Sequence, residues 1–182
     1  VASPLRLFDC SIPFNGAAAV IISTGRSEVE IAGSGLSTSN LTSFEREDMT
    51  SWSSTINAAR NAYQQSNINA KDIDIAEVHD AFTPVELISY EDLGFCSKGK
   101  GMGLIRDGTT KMNGSLPVNT SGGLKAKGHP ISATGISQIY ELFLQLTGNA
   151  GKRQIDNIKH GLAQNIGGAG STATVHILKK AM

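Results

Sequence analysis

Short apolar strands alternate with helical segments along most of this chain, and this alternation restricts its possible folds more than any other feature. Strands separated by helices form a sheet with helices packed on its faces, because each helix must bury one apolar side. The predicted strands are 17–22, 29–33, 73–78, 159–165 and 171–179, and the predicted helices are 49–65, 84–94 and 132–146. Polar and glycine-rich composition predicts loops at 34–43 and 95–116. The sequence therefore predicts an α/β fold with a mixed sheet of about five strands.

The composition excludes several classes of function. With 182 residues and a formal net charge of zero, the chain has no basic block with which to bind nucleic acid. No apolar run approaches the roughly 20 residues of a membrane span, so we expect none. Cys10 and Cys96 lie far apart in the sequence, so we expect no metal site and reduced thiols. A cytoplasmic location is expected, and an organelle stays open because the chain begins at Val1 rather than Met.

Two histidines lie where predicted strands or loops lead into helices. His79 follows the strand 73–78, and His129 lies between a glycine and a proline before the helix 132–146. Ligands of open α/β folds gather outside the carboxyl ends of strands, and an imidazole can donate a hydrogen bond or take a proton near neutral pH. We therefore predict that both rings share one site at one edge of the sheet. The alternative for each is a ring that only holds its loop, and Asp80 would either orient a ring or cap a helix.

Glycines surround both candidate positions. Gly122, Gly123 and Gly128 allow positive φ angles or a close approach of the backbone to a ligand. Gly167 and Gly168 could present backbone N–H groups to an oxyanion, although a glycine-rich turn between two strands would have the same composition.

Three other reactive side chains have weaker positions. Cys10 precedes a predicted core strand and has no histidine near it in sequence, which argues against a nucleophile. His160 precedes a predicted strand and His176 lies within one, so we predict structural roles for both.

Three blocks, in the same order, resemble the C-terminal half of the thiolase superfamily: 78–82, 119–135 and 165–170. The pattern is most similar to acetyl-CoA C-acetyltransferases of the archaeal type and to sterol-carrier thiolases. The resemblance implies a βαβαβαββ half with a mixed sheet and helices on both faces, part of a five-layer αβαβα sandwich. Residues 1–25 would then hold the last strand of the N-terminal half, and 26–182 would be the C-terminal thiolase domain.

The resemblance also implies a chemistry, namely acyl transfer with Claisen condensation or thiolysis of coenzyme A thioesters, with no covalently bound cofactor. By the same likeness, His129 would activate the family's nucleophilic cysteine. His79 would handle the α-proton, because Ala81 and Asn165 stand where other members carry an acid/base cysteine. The remaining implied site residues are Asn165, Gly167 and Gly168 as oxyanion or loop support, and Phe82, Gly122 and Gly123 as substrate contacts.

The nucleophilic cysteine would belong to the N-terminal half, so this chain alone would be an incomplete enzyme. The implied partners are that N-terminal half or subunit, further copies in a homo- or hetero-oligomer, and a small zinc-ribbon/OB-fold scaffold protein. The implied setting is lipid or isoprenoid-precursor metabolism. Two alternatives stay open, namely a retro-aldolase that acts on a coenzyme A thioester and a non-catalytic subunit for assembly or lipid binding.

Overall fold

The computed structural model describes residues 1–181, which contain one four-stranded sheet in the order β1-β4-β3-β2. The strands are β1 (Val29–Thr38), β2 (Ile75–Glu77), β3 (His160–Gly167) and β4 (Thr172–Lys180). The helices are α1 (Ser53–Ser66), α2 (Thr83–Asp92), α3 (Gly101–Arg106), α4 (Gly123–Lys127) and α5 (Thr134–Thr147). The α/β class predicted from the alternation of elements is confirmed.

The sheet is mixed, and its one parallel pair determines where the long connections run. β4 pairs antiparallel with both β1 and β3, whereas β2 pairs parallel with β3 through Ile75 and Gly161. Parallel neighbours need a crossover that returns the chain to the same end of the sheet. All residues of α2 to α5 lie in the crossover from β2 to β3.

Each face of the sheet is covered by a different set of helices. Alternate residues of a strand point to opposite faces, so Leu162 packs in the cluster that contains Ala58 of α1. Its neighbour Ala163 packs in a second cluster with Leu142 of α5. The expected placement of helices on both faces is therefore confirmed.

β1 and α1 lie unusually close together because β1 carries glycine where its backbone meets the helix. A Cβ atom added at Gly33 would overlap the carbonyl oxygen of Ala62, and one added at Gly35 would overlap that of Ala58. Ala58 and Ala62 are fully buried. Small residues on both elements therefore determine this helix-to-strand distance.

Several predicted elements differ from the structure. β1 continues to Thr38, so the loop predicted at 34–43 is wrong in its first half, because long-range pairing with β4 extends the strand. The loop predicted at 95–116 contains α3, and α4 was not predicted. The described residues contain four strands rather than about five, and Val118 adds only an isolated parallel bridge to Ala76.

The buried strand predicted at 17–22 is wrong. This segment joins no ladder among the described residues, and Ile21 is 98% exposed. Strand propensity and apolar composition do not produce a strand without a neighbour to supply hydrogen bonds. The division of the chain at residue 25 stays a prediction.

Of the helices in residues 1–181, none combines the length and the apolar character that crossing a bilayer requires.

Candidate active site

The site lies at the carboxyl edge of the parallel pair. His79 follows β2, and Asn165 lies near the carboxyl end of the parallel strand β3, so both residues reach the same edge. α5 runs back along the sheet from this edge, because Gly135 faces Asn165 near its start and Leu142 faces Gly161 further along. His129 precedes α5 and therefore arrives at the same place.

The two histidines face each other across this edge. Their ring centroids are 5.0 Å apart and the ring planes are nearly perpendicular, at 89°. The prediction that both rings share one edge is confirmed. Both line a cavity of about 720 Å³, together with Ser11, Pro13, Phe82, Asn165, Gly167, Gly168, Thr174 and His176.

The loop that carries His79 is held at each of four consecutive residues. The Val78 N–H donates to Asn119 Oδ1 at 2.8 Å, and the His79 N–H donates to Gln164 Oε1 at 2.9 Å. The Asp80 carboxylate accepts from the Leu124 N–H, and the Ala81 carbonyl accepts from the Ser11 N–H. The backbone around the ring is therefore fixed from three different parts of the chain.

The His79 ring is buried, with 6% of the residue exposed. Asn165 Nδ2 lies 3.2 Å from its Nδ1 and also donates to Gln138 Oε1 at 3.2 Å. Burial, and secondarily the neighbouring His129, lower the pKa of His79 from the ordinary 6.5 to about 4. Desolvation disfavours the charged imidazolium, so the ring is neutral at physiological pH.

The His129 ring is half-buried, and its Nδ1 is in hydrogen-bond contact with Thr134. The Thr134 hydroxyl donates to the Pro130 carbonyl at 3.1 Å and lies 2.8 Å from His129 Nδ1. Thr134 Oγ1 is therefore the hydrogen-bond partner of Nδ1 and also contacts the turn before α5. Burial also lowers the pKa of His129, so the ring is neutral near pH 7.

Residues 10–14 form a strap that joins the two histidine loops. Ser11 bonds to the first loop through Ala81, and the His129 N–H donates to the Ile12 carbonyl at 2.9 Å. The Phe14 N–H donates to the His129 carbonyl at 3.4 Å. A Cβ at Gly128 would lie 2.7 Å from the Phe14 Cβ, and the φ of Gly128 is +84°, so only glycine lets the strap approach. Sequence reasoning missed this strap, because no local signal ties residue 12 to residue 129.

Asp80 neither orients a ring nor caps α2. Its carboxylate accepts from Leu124 N–H at 2.7 Å at the start of α4, and burial raises its pKa. Gly123, at a φ of +63°, lies against this carboxylate, where an added Cβ would overlap it. Gly122 and Gly123 are not among the residues lining the cavity. Their role in substrate binding stays a prediction.

A buried acidic cluster holds the backbone that leads to the His129 loop. Glu77, 1% exposed, accepts from the Ser121 N–H at 3.0 Å and lies 3.4 Å from the Thr120 hydroxyl. Burial is the main reason that the pKa of Glu77 is raised to about 6. Arg153 pairs with the neighbouring Glu141 at 2.9 Å. The segment after Val118 is therefore anchored to the end of β2.

The cavity is also lined by residues that sequence reasoning did not place in the site. His176 of β4 lines the cavity beside Thr174, although a structural role was predicted for it. Gln138 of α5 was not singled out at all, because an amide in an amphipathic helix carries no local signal of its partners. Cys10 and Cys96 do not line the cavity. Residues 1–181 contain no cluster of three or more His, Cys, Asp or Glu side chains able to hold a metal ion.

Comparison with known proteins identifies relatives over almost the whole chain. Residues 35–180 match a family described as Thiolase C-terminal domain-like. The chain is 45% identical to the acetyl-CoA acetyltransferase of Methanothermobacter thermautotrophicus, over 99% of this chain and 49% of that protein. It is 38% identical to sterol carrier protein 2 of Oryctolagus cuniculus, over 96% of this chain and 34% of that protein. The chain thus spans about half the length, or less, of these curated relatives.

The fold also matches a solved structure, the Ltp2-ChsH2(DUF35) aldolase, with a TM-score of 0.82 and 24% identity. The match covers 99% of this chain and 48% of that one. At this identity the likeness concerns the fold alone.

Proposed function

Because the chain belongs to the thiolase family and carries its C-terminal domain, we propose that it forms the C-terminal part of an acyl-CoA C-acyltransferase. The proposed substrates are coenzyme A thioesters, and the reaction makes or breaks a carbon–carbon bond beside a thioester carbonyl. The observation that carries the proposal is the pair of imidazoles whose ring centres lie 5.0 Å apart at the carboxyl edge of the sheet.

His129 is proposed to act as the general base toward a thiol nucleophile. In the proposed arrangement its Nδ1–H donates to Thr134 Oγ1, 2.8 Å away, which leaves the Nε2 lone pair to accept a proton. A neutral imidazole with a lowered pKa can take the thiol proton at neutral pH. The resulting thiolate attacks the thioester carbonyl, so that an acyl–sulfur bond forms and coenzyme A leaves as its thiol.

His79 is proposed to act in the carbon–carbon step, where negative charge develops on a thioester oxygen. A buried ring stabilises such a charge more strongly than a solvated one, because the surrounding dielectric is low. Backbone N–H groups near Gly167 and Gly168, which line the same cavity, support the oxyanion role proposed for them.

The nucleophilic cysteine is proposed to come from an N-terminal half. In the described residues neither cysteine lines the cavity, and the chain covers only 49% and 34% of the two curated relatives. We further propose that the assembled protein is an oligomer in the cytoplasm, working beside a small zinc-ribbon/OB-fold scaffold protein.

A retro-aldolase acting on a coenzyme A thioester is the second candidate. The fold match to a protein named as an aldolase favours it. A retro-aldolase needs no acyl–cysteine intermediate, so the two candidates differ in a measurable covalent species.

The deciding experiment uses the whole protein that contains this chain, incubated with radiolabelled acetyl-CoA and then denatured. A thiolase retains label on a cysteine, and His129→Ala should lose this label by about 10²–10⁴-fold in rate. His79→Ala should keep the label but lose condensation over a similar range. His160→Ala, a histidine at the opposite end of β3, is the control and should retain both activities.

Two results would overturn the proposal. Absence of a labelled cysteine, together with cleavage of a β-hydroxyacyl thioester, would indicate the retro-aldolase. Near-normal condensation in His79→Ala would mean that this ring only holds its loop.

A further inference from the structure

We propose that Asn165 and Gln138 are positioning residues that hold His79 in one neutral tautomer, with its proton on Nε2. In the proposed mechanism His129 presents a lone pair at Nε2, so the site then contains two imidazoles of opposite character. The tautomer itself follows from the hydrogen bonds, whereas its catalytic consequence rests on the proposed function.

The backbone carbonyl of Gln164 fixes the orientation of the Gln138 side chain. The Gln138 side-chain amide lies 3.0 Å from the backbone carbonyl oxygen of Gln164. A carbonyl oxygen only accepts, so Gln138 must present its Nε2 there. Its Oε1 therefore points the other way, toward Asn165. Gln138 is 1% exposed, so water does not compete for either end of the amide.

The second step transfers this orientation to Asn165. Its side-chain amide lies 3.2 Å from Gln138 Oε1, which can only accept, so Asn165 presents Nδ2. The same Nδ2 lies 3.2 Å from Nδ1 of His79. An amide nitrogen donates and does not accept, so His79 Nδ1 must be the acceptor. The only proton of the neutral ring is therefore on Nε2.

His79 is held in this arrangement through its backbone as well as through its ring. The His79 N–H is bonded to Gln164 Oε1 at 2.9 Å, so backbone and ring are both held by β3. Burial lowers the pKa of His79 to about 4 and keeps the ring neutral at pH 7. The tautomer therefore determines whether Nε2 donates or accepts a hydrogen bond toward a substrate.

The tautomer changes the role expected for His79 from the sequence. With Nδ1 occupied and Nε2 protonated, the ring has no free lone pair to remove an α-proton. It can instead donate Nε2–H to the enolate oxygen that forms when the α-carbon loses its proton. Removal of that proton then falls to another group of the assembled site.

The direct test is nitrogen NMR of the whole protein with ¹⁵N-labelled histidine. The shift of a ring nitrogen differs widely between its protonated and bare forms, and the His79 signals are assigned by their loss in His79→Gln. We expect Nδ1 to be bare and Nε2 to be protonated at pH 7. A proton on Nδ1 in the unmodified protein would overturn the proposal, and this measurement needs neither turnover nor a variant at Asn165.

A substitution then tests the cause. Asn165→Asp replaces the donor with a carboxylate that only accepts, so Nδ1 should become protonated and the pKa of His79 should rise. Asn149→Asp makes the same change at an exposed asparagine beyond α5 and should leave the His79 spectrum unchanged. An unchanged tautomer in folded Asn165→Asp would also overturn the proposal. Asn165→Leu, which removes the donor without adding charge, should give a mixture of both tautomers.

A kinetic measurement separates this inference from the proposed function. Asn165→Asp should lower condensation about 10²–10³-fold, the usual effect of losing one oxyanion donor, while acyl transfer to the cysteine stays within a few-fold. If the unmodified protein neither condenses nor transfers acyl groups, the proposed function fails, and the NMR result still decides the tautomer. If the tautomer changes in the variant but condensation does not, the positioning role is wrong.

Discussion

At the scale of single residues, the two site histidines differ in what surrounds them. His79 is almost fully buried and bonded to an amide donor, whereas His129 is half-buried and bonded to a hydroxyl. The amide donor at Nδ1 places the proton of His79 on Nε2, whereas the proposed mechanism assigns a lone pair to Nε2 of His129. Two histidines can therefore act as a base and as a hydrogen-bond donor because their surroundings differ, although the side chains are identical.

The pH dependence of acyl transfer should report His129. The proposed base must be neutral, and burial lowers its pKa below the ordinary 6.5. The value of kcat/KM should therefore be constant above about pH 6.5 and fall in proportion to acidity below the pKa of His129. The measurement is a pH profile of enzyme acylation with the full-length protein.

His160→Asn is the matched control for this profile, because it removes a histidine at the far end of β3 that bonds only to the Asp72 carbonyl through its ring. Its acidic limb should coincide with that of the unmodified protein. A profile that instead rises as the pH falls through this range would contradict the assignment of His129 as a neutral base.

At the scale of elements, the contact between α1 and β1 depends on glycine rather than on large apolar side chains. Gly35→Ala should destabilise the protein by roughly 1–3 kcal/mol, because the added methyl would force α1 away from the sheet. Chemical denaturation with urea measures this change in the free energy of unfolding.

Gly103→Ala provides the comparison for the same substitution in open space. No atom lies within 4 Å of an added Cβ at Gly103, which lies inside α3. This variant should be neutral or more stable by up to about 1 kcal/mol, because alanine favours helix. Equal stability of the two variants would mean that α1 does not need the close approach.

The elements that were predicted well are those with strong local patterns. The spacing of apolar residues predicts α1 and α5 to within about four residues at each end. The second half of β1 has a loop-like composition and becomes a strand only because β4 lies beside it. α4 is short and begins where Asp80, more than forty residues earlier, accepts from its first N–H groups.

At the scale of the whole molecule, the segment 17–22 exposes large apolar side chains. Ile21 is 98% exposed and Ile22 is 73% exposed, although both belong to the segment whose sequence predicts a buried strand. Contiguous apolar surface of this kind marks a contact site. We expect it to be covered when the rest of the assembled protein is present.

The chain expressed alone should therefore self-associate, or co-purify with a polypeptide that supplies the other half. Ile21→Lys combined with Ile22→Lys should reduce self-association without unfolding, since these side chains take no part in the core clusters. Sedimentation velocity measures the result over a range of concentrations.

Ser23→Lys combined with Thr24→Lys adds the same charge to the same segment but keeps both isoleucines, so it should still associate. The prediction would be contradicted if the unmodified chain stays monomeric at high concentration and no partner co-purifies with it from the cell extract. Equal association of both double variants would show that the two isoleucines are not the contact.

The sequence by itself determined the α/β class, the order of most strands and helices, and the two histidines on one edge. Those features follow from local periodicity and from the rule that strands and helices alternate in a layered fold. Only the tertiary structure decided which groups surround each ring. The bond between Asn165 and His79 joins residues 86 positions apart, and the strap joins Ile12 to His129. Such contacts depend on how the crossover returns the chain to the sheet edge. The tautomer of a histidine depends on these contacts, so the sequence around the histidine does not reveal it.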